Sequence, residues 1–152
     1  MNITGLLHIN INCSDFDRSL RFYEMLGFKV LMAVQPEGAG DVAAAVGMTS
    51  YEVRGALMKH RDGSVIDLLE WRDPGDTTPP YERLNHLGLG RIAFVTTDIE
   101  ADIERLQAEG VEFLSPRPAA VAGPRGSTTR FICFRDPDGT VLELVDMGVM
   151  AP

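Results

Sequence analysis

Along the chain the spacing of apolar positions changes in a fixed order, and that order occurs twice. Leu6 to Asn12 is nearly continuous in apolar content, which predicts a buried strand. Phe16, Leu20 and Tyr23 then recur at i, i+4 and i+7, the stripe of an amphipathic helix, and Ile99, Ile103 and Leu106 repeat that spacing. Ser14 with Asp17, and Thr97 with Glu100, predict capping boxes in which a hydroxyl and a carboxylate satisfy free amides at each helix start. Gly27 and Gly110 predict the stops, because a left-handed residue costs glycine least. Extended segments are expected at Phe28–Val34, Tyr51–His60 and Ser64–Trp71, and again at Val111–Leu114, Thr129–Arg135 and Thr140–Asp146. Arg61-Asp62-Gly63 and Asp136-Pro137-Asp138-Gly139 carry the residue types of tight hairpin turns. Each half is therefore expected to run strand, helix, then three strands.

Aligning His8-Ile9-Asn10-Ile11 with Arg91-Ile92-Ala93-Phe94 brings further positions together without a gap. Asp15 falls on Asp98, Leu20 on Ile103 and Gly27 on Gly110. A second echo sets Asp62–Leu69 on Asp138–Val145, so that Asp67 matches Glu143. Internal repetition outranks other fold signals. It predicts one α+β domain over 1–152: a first βαβββ module at 1–72, a linker at 73–88 and a second module at 89–147, pseudo-symmetric about a cleft. Three stretches are expected to be irregular: Gln35–Ser50, with a short helix near Val42–Val46; the linker; and the Pro-, Gly- and Arg-rich Ser115–Thr128.

Composition narrows the function. The chain has 152 residues, enough for one domain. Its net charge of −8 argues against nucleic acid, because phosphate binding calls for a basic stripe. Arg117, Arg125 and Arg130 form only a loose group. Cys13 and Cys133 show no metal-type spacing, so reduced thiols are expected. There is no signal-peptide pattern and no apolar run near the ~20 residues that span a bilayer, so a cytoplasmic protein with no membrane partner is expected.

The combined pattern resembles the vicinal oxygen chelate superfamily of glyoxalases, epimerases, bleomycin-resistance proteins and extradiol dioxygenases. Its carriers are Leu7-His8-Ile9, Arg91-Ile92-Ala93-Phe94 ahead of Asp98, and Asp136-Pro137-Asp138-Gly139 leading into Leu142-Glu143-Leu144. The resemblance implies a curved mixed sheet built of paired modules around a central cleft, a homodimer, and a divalent metal that chelates adjacent oxygens of a small molecule. The family's four inward positions fall on His8, Asp67, Arg91 and Glu143. Relatives that bind metal usually have histidine where this chain has Arg91.

That departure leaves two readings open. In one, His8, Asp67 and Glu143 hold Zn, Ni, Co, Mn or Fe as a three-ligand N/O set while Arg91 turns to an anionic ligand group. In the other, Arg91 itself fills the place of the metal and forks onto Asp67 or Glu143, and no cofactor is used. A guanidinium has five donors and no acceptor, so it cannot ligate a cation. Without a metal the open chemistry is acid–base, with Glu143 the candidate base and Arg91 the candidate holder of an oxyanion or carboxylate. Trp71 and Arg130 are candidate ligand contacts, and His86 a candidate replacement ligand. His60 is expected to be solvated, and the methionines of the Met147–Met150 tail to pack or to line a dimer seam.

The implied function is a glyoxalase- or epimerase-like enzyme of isomerase or lyase type. The rival is a protein of the bleomycin-resistance kind that sequesters a ligand unchanged. A dioxygenase fits less well, because the pair of histidines on iron is missing.

Overall fold

Strand β1 (Ile9–Asn12) lies parallel to β5 (Val65–Asp73), with Ile9 opposite Ile66 and Asn10 opposite Asp67. β5 is antiparallel to β4 (Ser50–Lys59), and β4 to β2 (Lys29–Ala33), giving the order β1-β5-β4-β2. These coordinates come from a computed structural model that describes residues 2–123 and 126–148. Arg125 and the Met150 end of the tail lie outside the described residues.

The second sheet repeats the first. β6 (Ile92–Val95) runs parallel to β9 (Val141–Asp146), β9 pairs with β8 (Thr128–Arg135), and β8 with β7 (Ala119–Ala122), in the order β6-β9-β8-β7. Each sheet thus places the first and last strands of its module side by side, with the first strand at one end of the order. The chain divides into two compact units between Thr78 and Pro79.

Alternation sets one buried face in each sheet. Ile11, Ile66, Leu68 and Met58 are buried in the first unit, with Phe16, Phe22 and Tyr23 of α1 (Phe16–Met25). Tyr23 sets its ring edge-on to Phe22 and Phe28. Ile132, Phe134, Leu142 and Leu144 are buried in the second unit, with Ile99 and Leu106 of α3 (Ile99–Ala108). Each such side chain stabilises the fold by about 1.5–3 kcal/mol. Gly27 (φ 97°) and Gly110 (φ 80°) take the left-handed conformation that ends the two helices.

The structure corrects four local expectations. The helices are capped by Asp15 and Asp98, whose carboxylates accept from the amides of Arg18 and Ala101 at 3.0 and 3.1 Å. Ser14 instead accepts from the Arg18 guanidinium. The caps come one residue later than the hydroxyls because the aspartates carry the stronger acceptors. β1 starts at Ile9, since its pairing with β5 begins at Ile66, and Leu6 and Leu7 are left 82% and 78% exposed. Val111–Leu114 makes only a bridge from Phe113 to Phe134, and the edge place goes to β7, inside the stretch expected to be irregular. Between β2 and β4, β3 (Glu37–Ala39) pairs with β4 and precedes α2 (Asp41–Ala45).

Candidate functional site

Each unit carries half of the carried-over set on the sheet face opposite its buried one. In the first unit His8 directly precedes β1, and Asp67 comes from the adjacent β5. His8 Nε2 stands 3.9 Å from Asp67 Oδ2, an ion-pair distance rather than a hydrogen bond. His8 Nδ1 and Asp67 Oδ1 are buried without a hydrogen-bond partner. Burial pushes the Asp67 carboxyl above its ordinary range, and His8 opposes this. Asn10 donates to the Asp67 carbonyl at 2.9 Å and so fixes the strand beneath the pair.

Further along the same face, Trp71 donates its indole N–H to Asn12 Oδ1 at 2.9 Å. Its ring meets Tyr51 edge-on, with centroids 5.4 Å apart. Trp71 lies four residue steps along the strand from Asp67, a span of about 13 Å.

In the second unit Arg91 directly precedes β6 and reaches across to β9. Its Nε stands 3.0 Å from Glu143 Oε2. The Glu143 side chain is 8% exposed and that of Arg91 44%. The carboxylate is thus enclosed while the guanidinium reaches solvent. Glu143 holds the Arg91 pKa above its usual value, through the hydrogen bond first and its charge second. Of the two forks foreseen, onto Asp67 or Glu143, the structure shows Arg91 on Glu143.

Cys133 is directly opposite Glu143 in the β8–β9 ladder, so both side chains share one face. Burial and the charge of Glu143 push its thiol up, and Arg91 pulls it down. The sequence reading passed over this residue, although a turn centred on Asp138 sets 133 against 143. Both cysteines remain thiols without a disulfide.

The remaining candidates are placed elsewhere. Arg130 forks onto Glu100 of α3 and, by strand alternation, points to the face of its sheet away from Glu143. His86 stacks on Tyr81 (centroids 4.5 Å, planes within 8°), with its Nδ1 2.9 Å from the Leu87 carbonyl oxygen. Neither is brought to a half-site. His60 pairs with Asp62 at 3.0 Å, and its side chain is only 24% exposed.

The described residues line hollows of very different size. One of about 30 Å³, with Tyr81, Arg83 and Arg91 among its lining, has room for water but not for a substrate. The other, about 490 Å³, opens in the first unit between Phe16, Leu20, Val30 and Ala33, with Arg54 and Arg72 at its edge. It contains none of the carried-over side chains.

Neither unit by itself assembles the donors of a divalent ion. The first unit offers His8 and Asp67, two ligands where such sites take three or four. In the second, Glu143 is held by the Arg91 guanidinium, which donates but cannot ligate. Among the described residues no group of three His, Cys, Asp or Glu side chains that could hold a metal is assembled. Among the same residues, no helix is long and apolar enough to cross a membrane.

Twin sheets, each with an ionisable pair at the junction of its first and last strands, define a duplicated βαβββ class. The family model for the glyoxalase/bleomycin resistance protein/dioxygenase superfamily matches residues 5–144, and the chain belongs to that superfamily. It is 31% identical over 150 residues to the uncharacterized protein YwkD of Bacillus subtilis, covering 96% of this chain and 99% of that one. It is 28% identical over 144 residues to a probable lactoylglutathione lyase of Vibrio cholerae, covering 92% and 88%. Among solved structures it matches a glyoxalase family protein from Bacillus cereus with a TM-score of 0.78, at 24% identity over 98% and 99% of the two chains. It also matches TnmS3, an antibiotic binding protein from a Streptomyces species, with a TM-score of 0.62, at 26% identity over 97% and 99%.

Proposed function

We propose that this protein is a small-molecule isomerase or lyase of the glyoxalase and epimerase kind, working by proton transfer. The observation that carries this reading is the enclosed Glu143 carboxylate held through one oxygen by a half-exposed Arg91. In the proposed step, Glu143 removes a proton from a carbon beside a carbonyl, and the C–H electron pair moves to the carbonyl oxygen. Arg91 faces the oxyanion that forms, and its charge lowers the energy of that intermediate. Glu143 then gives that proton back to carbon as the electron pair returns from the oxygen, or to a leaving group that the pair expels, and is restored as the carboxylate. The lyase name of the Vibrio relative is consistent with such chemistry.

Solvent-deuterium incorporation, followed by NMR on S-lactoylglutathione and a panel of 2-oxo and 2-hydroxycarbonyl compounds, tests the reading. Wild type is expected to exchange the C–H beside the carbonyl of one class. Glu143→Gln is expected to slow this by the ~10²–10⁴-fold that a general base supplies. Equal exchange by wild type and folded Glu143→Gln would exclude Glu143 as the base.

A second reading is favoured by the likeness to the antibiotic binding protein and by the net charge of −8, which suits a cationic ligand. In that reading the protein sequesters its ligand unchanged. Calorimetric titration with tight binding, and recovery of the ligand chemically intact with no isotope exchange, would select it. As small-molecule proteins of this family, both versions are proposed to act in the cytoplasm as a homodimer.

A further inference from the structure

We propose that the second half-site does not fit a divalent metal because Arg91 supplies its positive charge, and that exchanging Arg91 for histidine turns the second unit into a metal binder. The inference concerns the cation of the site and holds whether the ligand is turned over or only bound. It rests on three observations within one unit. Arg91 holds Glu143 at 3.0 Å, a contact in which a cation meets an enclosed carboxylate. Arg91 makes no other ion pair among the described residues, so the positive charge beside Glu143 is supplied by the chain itself. Cys133 faces Glu143 directly across the β8–β9 ladder, which brings a sulfur donor to the same spot.

The chemistry follows from charge and donor count. A carboxylate and a thiol make two ligands, and a permanent cation beside them repels a divalent ion. With Arg91 present, the unit has its positive charge without any ion. An imidazole at position 91 would remove the repulsion and add a nitrogen donor. The half-site would then present one N, one O and one S ligand, the mixed set that zinc and cobalt accept with water in the fourth place.

The test is metal content. Wild type, R91H and the double variant R91H/E143A are incubated with Zn(II) or Co(II), desalted, and analysed by elemental mass spectrometry. Circular dichroism and thermal melting verify the fold of each. Wild type is expected to retain well under ~0.1 equivalent per chain, R91H about one, and R91H/E143A to fall back at least tenfold. In the cobalt form of R91H, a near-ultraviolet thiolate charge-transfer band is expected, and R91H/C133S is expected to lack it. Stoichiometric metal in wild type, lost in E143A, would overturn the proposal. So would a folded R91H that takes up no metal. If R91H does not fold, the wild-type and E143A measurements still decide the first point. Failure of the deuterium experiment leaves these metal readouts untouched, so the two readings fail separately.

Discussion

At the residue scale, the second half-site is a contest over one proton. Burial and Glu143 both raise the Cys133 thiol pKa, whereas Arg91 lowers it. Removing the carboxylate charge in Glu143→Gln withdraws a raising influence, so the pH midpoint for alkylation of Cys133 is expected to move down. Removing the guanidinium in Arg91→Ala withdraws a lowering one, and the midpoint is expected to move up. Iodoacetamide labelling across pH, quantified by peptide mass spectrometry, reads both, with the buried Cys13 as internal reference. Shifts of the same sign in the two variants would show that the three side chains do not share a field. His8, Asp67, Arg91 and Glu143 were singled out because the family resemblance carries its four inward positions onto them, at places that the duplication makes equivalent. Cys133 escaped because a cysteine was weighed only as a metal-spacing or disulfide signal. Arg130 was read as a ligand contact because its partner, Glu100, lies thirty residues away on a helix, and one-dimensional spacing does not reveal that pairing.

At the element scale, periodicity located both helices, while their exact starts were decided by the strength of competing acceptors. Asp15 and Asp98 each satisfy an orphan amide, so Asp15→Ala and Asp98→Ala are expected to cost about 1 kcal/mol apiece in urea denaturation. Ser14→Ala and Thr97→Ala are expected to stay within about 0.5 kcal/mol of wild type, as surface substitutions do. The reverse ranking would restore the capping boxes expected from sequence. The edge strands were the least legible elements. β7 is four small or β-branched residues among prolines and glycines, all exposed, and its strand character comes from pairing with Thr128–Phe131 rather than from an apolar pattern of its own. Val111–Leu114 has the better strand composition but receives only one bridge. Interior strands such as β5, with Ile66 and Leu68 buried on alternate positions, and β9, buried continuously over Val141–Leu144, were placed within a residue or two.

At the scale of the whole molecule, the duplicated strand order was readable because the two echoes fall on the paired first and last strands of each module, whereas the acid response depends on contacts that only the fold creates. A net charge of −8 suggests that acid relieves repulsion and stabilises the protein, but the individual carboxylates argue the opposite. Asp17 is held below its usual range by hydrogen bonds from Arg54, Glu100 by those from Arg130, and Asp76 by Thr78. Asp62 is lowered to about 2, first by the Ser64 amide and then by the Ser64 hydroxyl and His60. A carboxylate depressed in the folded state adds stability above its unfolded pKa and loses it as pH falls through the folded one. Asp67, raised by burial, works the other way: ionisation disfavours its folded form, so its contribution improves toward acid. With the depressed groups in the majority, the urea midpoint is expected to fall progressively below about pH 4. Salt separates the causes, since the exposed Arg54–Asp17 and Arg130–Glu100 pairs are screened while the short Ser64-to-Asp62 bond is local. Raising salt to about 0.5 M is therefore expected to flatten most of the acid limb. The part removed by Asp62→Asn, confined to the region approaching pH 2, is expected to persist in salt. An acid limb that vanishes entirely in salt would assign it to net charge and ion pairs alone.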